Sequence, residues 1–273
     1  MDSPGGIFQG TLASLRDYLA HRFAVYASTS MSESPDRSSA GLLSATPRAL
    51  RYDGHTDDPH EGAALIRSFI PSRSRVLDVG CGTGSVSLIA NRNKGNTVVG
   101  IEPDAERAQL ARARGLSVFC GYLSPEFIAS EPPFDVVLMA DVLEHVPDPG
   151  ALVALAHSAL KPGGTLVVSV PNAVHWIMRW QIFSGKFEYD ACGIRDATHL
   201  RWFTRATLRQ LLEQHGFVIT AAKASAGTDA PEYFTWRPWR WAPVRFRSVC
   251  VRHLSAIWPS LFGYQWVIQA RKP

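Results

Sequence analysis

Two rhythms of apolar and polar positions run along this chain. Residues 7–27 place Phe8, Leu12, Leu15, Leu19, Phe23 and Tyr26 at helical spacing, which predicts an amphipathic helix. The serine-rich stretch 28–47, with Pro35 and Pro47, reads as a linker, and Met31 within it is an alternative start. From Glu61 onward, short apolar runs alternate with helical patterns. A helix over 61–70 ends at Pro71, and Arg75–Gly80 reads as a buried strand. A helix to about Arg92, a strand over 96–102 and a helix over 104–113 follow. Strands are expected at 116–120, 134–140 and 165–170, with a helix at 150–160 before the last. Thr204 is placed to cap a helix carrying Leu208, Leu211 and Leu212, which Gly216 stops. Phe217–Ala221 and Tyr264–Ala270 read as two closing strands.

Strands alternating with helices predict an α/β fold, a doubly wound and mostly parallel sheet that binds ligands beyond the carboxyl ends of its strands. Two segments break the alternation. Residues 171–203 leave a strand end and read as a lid, and residues 222–263 form a second insertion. The expected organisation is an N-terminal helix and linker over 1–50, then one domain over 51–273 that carries both insertions.

Charge sharpens the second insertion. From Pro231 onward there are seven Lys/Arg against the single acid Glu232, and all eight tryptophans lie after residue 175. Residues 236–252 interleave arginine with aromatics, a pattern that stacks on bases or sits at a membrane interface. Pro238 and Pro243 interrupt a continuous amphipathic helix, so the reading taken is a cover over one sheet edge, aromatics inward and arginines in solvent. Peripheral membrane contact stays open as the alternative. No run of eighteen apolar residues and no secretory leader pattern occur, and the four cysteines have no paired spacing. A reducing, cytoplasmic setting without zinc cage or disulfide is expected.

The chemistry concentrates at Val76-Leu-Asp-Val-Gly-Cys-Gly-Thr-Gly84. Glycines at 80, 82 and 84 after a strand allow a tight turn and close approach of a ligand to the backbone. Ser85 stands where a dinucleotide fingerprint needs glycine, and no Gly-Lys-Ser/Thr is present for a P-loop. Glu102 ends the next apolar strand about twenty residues on, where a carboxylate accepts from ribose hydroxyls. Together these indicate a nucleoside-containing cofactor.

VLDVGCGTG, VVGIEPD, FDVVLMADVLEHVPDP and LKPGGTLVVSVPN, in this order, resemble the class I methyltransferases that use S-adenosylmethionine (SAM) and release S-adenosylhomocysteine. The resemblance spans about residues 60–221 and implies a Rossmann-like sheet of seven strands, the last antiparallel. It implies that Gly80, Cys81, Gly82 and Gly84 flank the methionine part, that Asp78 orients its amino end, and that Ala140 and Asp141 close over it. Glu102 would hold the ribose and Pro103 would lie near the adenine. Many relatives have an acid after the third strand. Here the run is Cys120-Gly-Tyr-Leu123, so Tyr122 or Leu123 would meet the adenine instead. The stretch from Trp176 to Thr204 is similar to bacterial small-molecule and glycan-pathway enzymes related to the ubiquinone-pathway O-methyltransferases. Ala140-Asp-Val-Leu143 replaces the Asn/Asp-Pro-Pro-Tyr signature of nucleic-acid N-methyltransferases, so no nucleic-acid partner is expected.

These features imply methyl transfer to a small-molecule hydroxyl, as in secondary metabolism. A lipid-linked or polysaccharide acceptor is the alternative, and RNA or protein methylation or a non-catalytic SAM-binding scaffold stand further off. A hydroxyl acceptor benefits from a base that takes its proton, and histidine suits neutral pH. His199 is the first candidate, with Asp196 beside it, and His145 the second. In the ubiquinone-pathway relatives the run matching Asp141, Glu144 and His145 can hold a divalent metal; no required metal is expected here. Trp176, Trp180 and Tyr189 would wall the acceptor, and Tyr52 would fold over the cofactor.

Overall fold

The computed structural model describes residues 53–228, 230, 233 and 241–273. The predicted helix over 7–27, the linker, Tyr52 and the Arg/Trp run from Trp236 to Arg240 lie outside the described residues.

Seven strands make one sheet: β1 Arg75–Val79, β2 Thr97–Glu102, β3 Ser117–Cys120, β4 Phe134–Ala140, β5 Leu160–Pro171, β6 Val218–Ala224 and β7 Gln265–Arg271. Their order is β3-β2-β1-β4-β5-β7-β6. The first five are parallel neighbours, and β7 runs antiparallel to both β5 and β6. This is the mostly parallel sheet with an antiparallel last strand that the resemblance implies. Alternate side chains divide between the faces. Leu77, Val79, Val137, Met139, Leu166 and Val168 pack under α5 (Pro149–Ala159) and α7 (Arg205–Gln214). Val76, Val136, Leu138 and Val167 pack under α1 (Gly62–Phe69). Burial on both faces explains why β1 and β4 read as near-continuous apolar runs.

Helix starts follow local chemistry. Asp104 caps α3 (Ala105–Ala113) by accepting from the amides of Glu106 and Arg107. Thr204 and Thr207 form a reciprocal capping box on α7. Beyond the expected elements the structure adds α4 (Pro125–Ser130), α6 (Trp176–Phe183) inside the lid, α8 (Val244–Ile257) and α9 (Pro259–Phe262). The helix α2 (Ser85–Asn91) follows the glycine turn. β5 extends back to Leu160 because Leu160 pairs with Phe134, and β6 runs three residues past Ala221.

One expectation is reversed. In α8 the buried face carries Arg247, Val251 and Ser255, whereas Phe246, Val249 and Ile257 are 60%, 51% and 63% exposed. The arginine-out, aromatic-in reading fails here. The helix begins directly after Pro243, which serves as its N-cap residue and so opens the helix that it was expected to break.

Candidate active site

The glycine turn joins β1 to α2, and its three glycines are required for different reasons. All three have positive φ, which side chains rarely adopt. A Cβ on Gly80 would meet Val142 Cγ2 at 2.8 Å, and one on Gly84 would meet Leu116 Cδ1 at 2.3 Å. One on Gly82 meets nothing within 4 Å. Gly80 and Gly84 therefore pack the turn against the protein, while Gly82 borders open space. The amides of Gly80 and Cys81 donate to the Ile101 carbonyl at 2.7 and 3.0 Å, so the turn hangs from the end of β2. Cys81 is buried, and burial pushes its thiol well up. Gly100 gives it room, since a Cβ there would lie 2.6 Å from Cys81 Sγ.

Glu102, 4% exposed, braces the same turn. Its two oxygens accept from the amides of Gly82 at 2.8 Å and Asp104 at 2.9 Å. Each oxygen keeps a second lone pair, which suits a diol. Asp78 is buried within β1; one oxygen accepts from Ser87 Oγ and the other has no partner. Burial, then nearby Glu102, raises its carboxyl to about 7 against the hold of Ser87. A third brace comes from Asp53. It accepts from Thr83 Oγ1 at 2.5 Å and from Arg114, whose guanidinium holds its carboxyl down at about 2.

Around this turn, Pro103 is exposed and Tyr122 is 64% exposed, while Leu123 joins the apolar core. Of that pair, Tyr122 is the one with surface to offer a ligand. Ala140 is half-buried at the end of β4. Asp141 follows with φ 54° and a carboxylate that accepts from Ser169 Oγ at 3.2 Å and from Gln265 Nε2.

Beyond Asp141 the lid meets the 3₁₀ turn Leu143–His145. The amides of Leu200 and Arg201 donate to the Glu144 carbonyl at 2.7 and 3.0 Å, which seats the lid on the turn. The imidazoles of His145 and His199 stand edge to face with centroids 4.8 Å apart. His199 Nδ1 lies 3.0 Å from the Ile194 carbonyl, and His145 Nδ1 lies 3.2 Å from the Thr198 carbonyl. A carbonyl only accepts, so both Nδ1 atoms carry hydrogen, and on a neutral His199 ring Nε2 keeps its lone pair. Burial first, then the neighbouring His145, lowers the pKa of His199 and favours the neutral ring. The hydrogen-bond partner of the ring is thus a backbone carbonyl; Asp196 accepts instead from the Thr198 amide and hydroxyl at 2.8 and 2.7 Å. Glu144 has both carboxyl oxygens buried without a partner, and burial, then Asp141, raises its pKa well above the ordinary range. Ligating atoms of Glu144, His145 and His199 fall within 4.8 Å of one another, close enough for a divalent ion to fit. Asp141, considered alongside Glu144 and His145 from the sequence, is instead engaged with Gln265.

The expected aromatic wall divides. Tyr189 meets Phe187, Phe187 meets Trp202, and Trp202 meets His199, with successive centroids 5.6, 5.3 and 5.7 Å apart. Trp176 packs beside His175 and Tyr233 in a separate apolar cluster. Trp180 lies beside Phe183 and is 59% exposed. Phe187, Trp202 and Gln265 were not singled out from the sequence; the aromatic run before Thr204 was a signal for the first two.

A family model described as a methyltransferase domain matches residues 54–222. The chain belongs to that family. Curated relatives named ubiquinone biosynthesis O-methyltransferase are similar over part of the chain. The protein from Pseudomonas aeruginosa is 41% identical over 106 residues, and that from Xanthomonas campestris pv. campestris 45% over 105. Each match takes in 36% of this chain and 44% of the relative, so the chain spans less than half the length of these relatives. Among solved structures, a possible histamine N-methyltransferase from Thermotoga maritima aligns with TM-score 0.52 and 20% identity, covering 77% of this chain and 87% of that one. Magnesium protoporphyrin IX methyltransferase from Synechocystis PCC 6803, with bound S-adenosylhomocysteine, aligns with TM-score 0.51 and 15% identity over 77% and 82%. These likenesses carry the fold.

This methyltransferase uses SAM as its cofactor. The site suits it on two observations. The partnerless oxygen of buried Asp78 matches an ammonium group, and the open side of Gly82 leaves room for the ligand at the turn. Once bound, SAM supplies an electrophilic methyl group on a sulfonium.

Proposed function

We propose that the chain methylates the hydroxyl of a small-molecule acceptor, with His199 as the base. The carrying observation is the fixed tautomer of His199: Nδ1–H is held by the Ile194 carbonyl, leaving Nε2 as acceptor on a ring that burial keeps neutral. As the acceptor oxygen forms its bond to the methyl carbon and the sulfonium bond breaks, His199 Nε2 takes the hydroxyl proton. Trp202 and His145 pack on the ring and limit its rotation, so the base is positioned before the acceptor arrives. Tyr189 and Phe187 extend the aromatic surface from there and favour a flat, apolar acceptor. The O-methyltransferase names of the relatives support the choice of oxygen.

The test is S-adenosylhomocysteine release by the full chain supplied with SAM and a panel of phenols, aliphatic alcohols and amines. Turnover with phenols or alcohols and little with amines is expected. A preference for amines overturns the reading.

A further inference from the structure

The outward face of α8 is built the wrong way round for a helix in water. Phe246, Val249, His253 and Ile257 follow one another at helical spacing on the exposed side, opposite buried Arg247, Val251 and Ser255. At the end of α8, Trp258 is 57% exposed. Three residues on, Leu261 of α9 lines a cleft of about 400 Å³ with Trp176, Arg179, Trp180 and Phe183 of α6. On that helix Ile182 and Phe183 are 61% and 84% exposed. Two helices far apart in sequence thus present large apolar side chains to the outside, and α9, which follows α8 through Trp258, meets α6 at the cleft. Exposed apolar area of this kind marks an interaction surface.

Charge selects what covers it. Neither 173–187 nor 241–263 contains an acidic residue, and Arg179, Lys186 and Arg245 are exposed in the same segments as the apolar side chains. A second copy applied to this face through a two-fold axis would set these cations against themselves. RNA would use stacking rings, but Ile182, Val249 and Ile257 offer nothing to a base. An anionic lipid bilayer satisfies both halves, since it takes aromatic and aliphatic side chains at the acyl boundary and basic ones among its headgroups. We infer that α6, α8 and α9 form a docking face for an anionic membrane surface. Among the described residues no helix is long and apolar enough to cross a membrane, which matches contact in the plane of the interface. The lid helix α6 belongs to this face and also leads into the segment that carries His199, so docking would bring the acceptor side of the site near the bilayer.

Flotation of the full chain with vesicles tests this without an acceptor, so its result is independent of the base proposed above. Vesicles of phosphatidylcholine with about one third phosphatidylglycerol are compared with phosphatidylcholine alone, at two salt concentrations. Recovery with the anionic vesicles is expected to exceed the neutral ones by roughly tenfold and to fall as salt rises. The pairs Ile182→Ser with Phe183→Ser and Phe246→Ser with Ile257→Ser should each reduce flotation by roughly tenfold while melting temperature and SAM affinity stay at wild-type values. Charge reversal by Arg179→Glu with Lys186→Glu gives a second reading that removes no apolar surface and should also abolish flotation. No flotation at low salt overturns the proposal, as do variants that float like wild type. So does a concentration-dependent dimer that the Ser variants dissociate, which would assign the face to a second copy, or RNA retention without flotation.

Discussion

The donor side of this candidate site and the acceptor side proposed for it are built from different materials. On the donor side the functional geometry is mostly backbone: a strand, a turn of three left-handed glycines, and amides bonded to Ile101 and Glu102. On the acceptor side it is side chains meeting across large gaps in sequence. His145 meets His199, and Gln265 reaches Asp141. Backbone geometry needs particular residue types at fixed spacing, so it leaves a motif. Side-chain meetings need only reach and partner, and many sequences supply them. The donor side can therefore be shared across a family while the acceptor side changes with the substrate.

Three experiments press on that contrast. The largest effect belongs to the acceptor side. His199→Ala should lower turnover by about 10²–10⁴-fold, the range for general-base removal, with SAM affinity within about twofold of wild type. Turnover unchanged at saturating SAM would remove His199 from the mechanism. The donor side is tested by two glycines two residues apart. Gly82→Ala puts a methyl into open space beside the turn and should weaken SAM binding by roughly 5- to 150-fold, the equivalent of about 1–3 kcal/mol. Gly84→Ala drives the same methyl into Leu116 and should show mainly as a lowered melting temperature, with about 1–3 kcal/mol of stability lost. Equal effects of the two variants on binding would erase the distinction between them.

The smallest effect is a pH dependence from Asp78. Its folded pKa lies near 7, above the ordinary 3.8, so between those values the folded chain holds a proton that the unfolded chain has released. The contribution of this group to stability without cofactor is therefore present below about pH 4 and is lost as pH rises toward 7. Binding an ammonium group calls for the ionised carboxylate, so SAM affinity should climb as pH rises through 7. Calorimetric titration at pH 6 and pH 8 should show up to about a tenfold difference, which Asp78→Asn should flatten. A wild-type affinity that is level across this range would detach Asp78 from the cofactor.

How much was legible follows the same division. The alternation of runs located all seven strands; central strands such as β1 and β4, buried on both faces, read as near-continuous apolar runs, whereas the edge strands β3 and β6 are partly exposed. Asp78, the glycines and Glu102 announced themselves by spacing. Ser124 before Pro125 is an N-cap and first-turn pair that signals α4, but six residues offer too little periodicity to confirm it. The histidines were visible as residue types, yet the carbonyl that orients His199 belongs to Ile194, and a carbonyl leaves no trace in residue identity. Gln265 holds Asp141 from 124 positions away, beyond any local pattern. The segment that holds α8 was misread because its arginine-out, aromatic-in expectation came from composition, which is silent about which face of a helix turns inward.

The position of β7 has a consequence for how the chain assembles. β6 is synthesised before β7, yet its ladder in the sheet is with β7 alone, and β7 fills the gap between β5 and β6. A chain emerging from the ribosome can zip β1 to β5 together by neighbour-to-neighbour pairing, while Val218–Ala224 waits with both edges open until residues 265–271 arrive. Gln265 arrives with that strand, so the second hold on Asp141, beside Ser169 of β5, forms only at this last closure. The order of synthesis thus leaves the methyl-transfer site incomplete until residues 265–271 have been made, and that strand is where a translational pause or a chaperone would act on the yield of active protein.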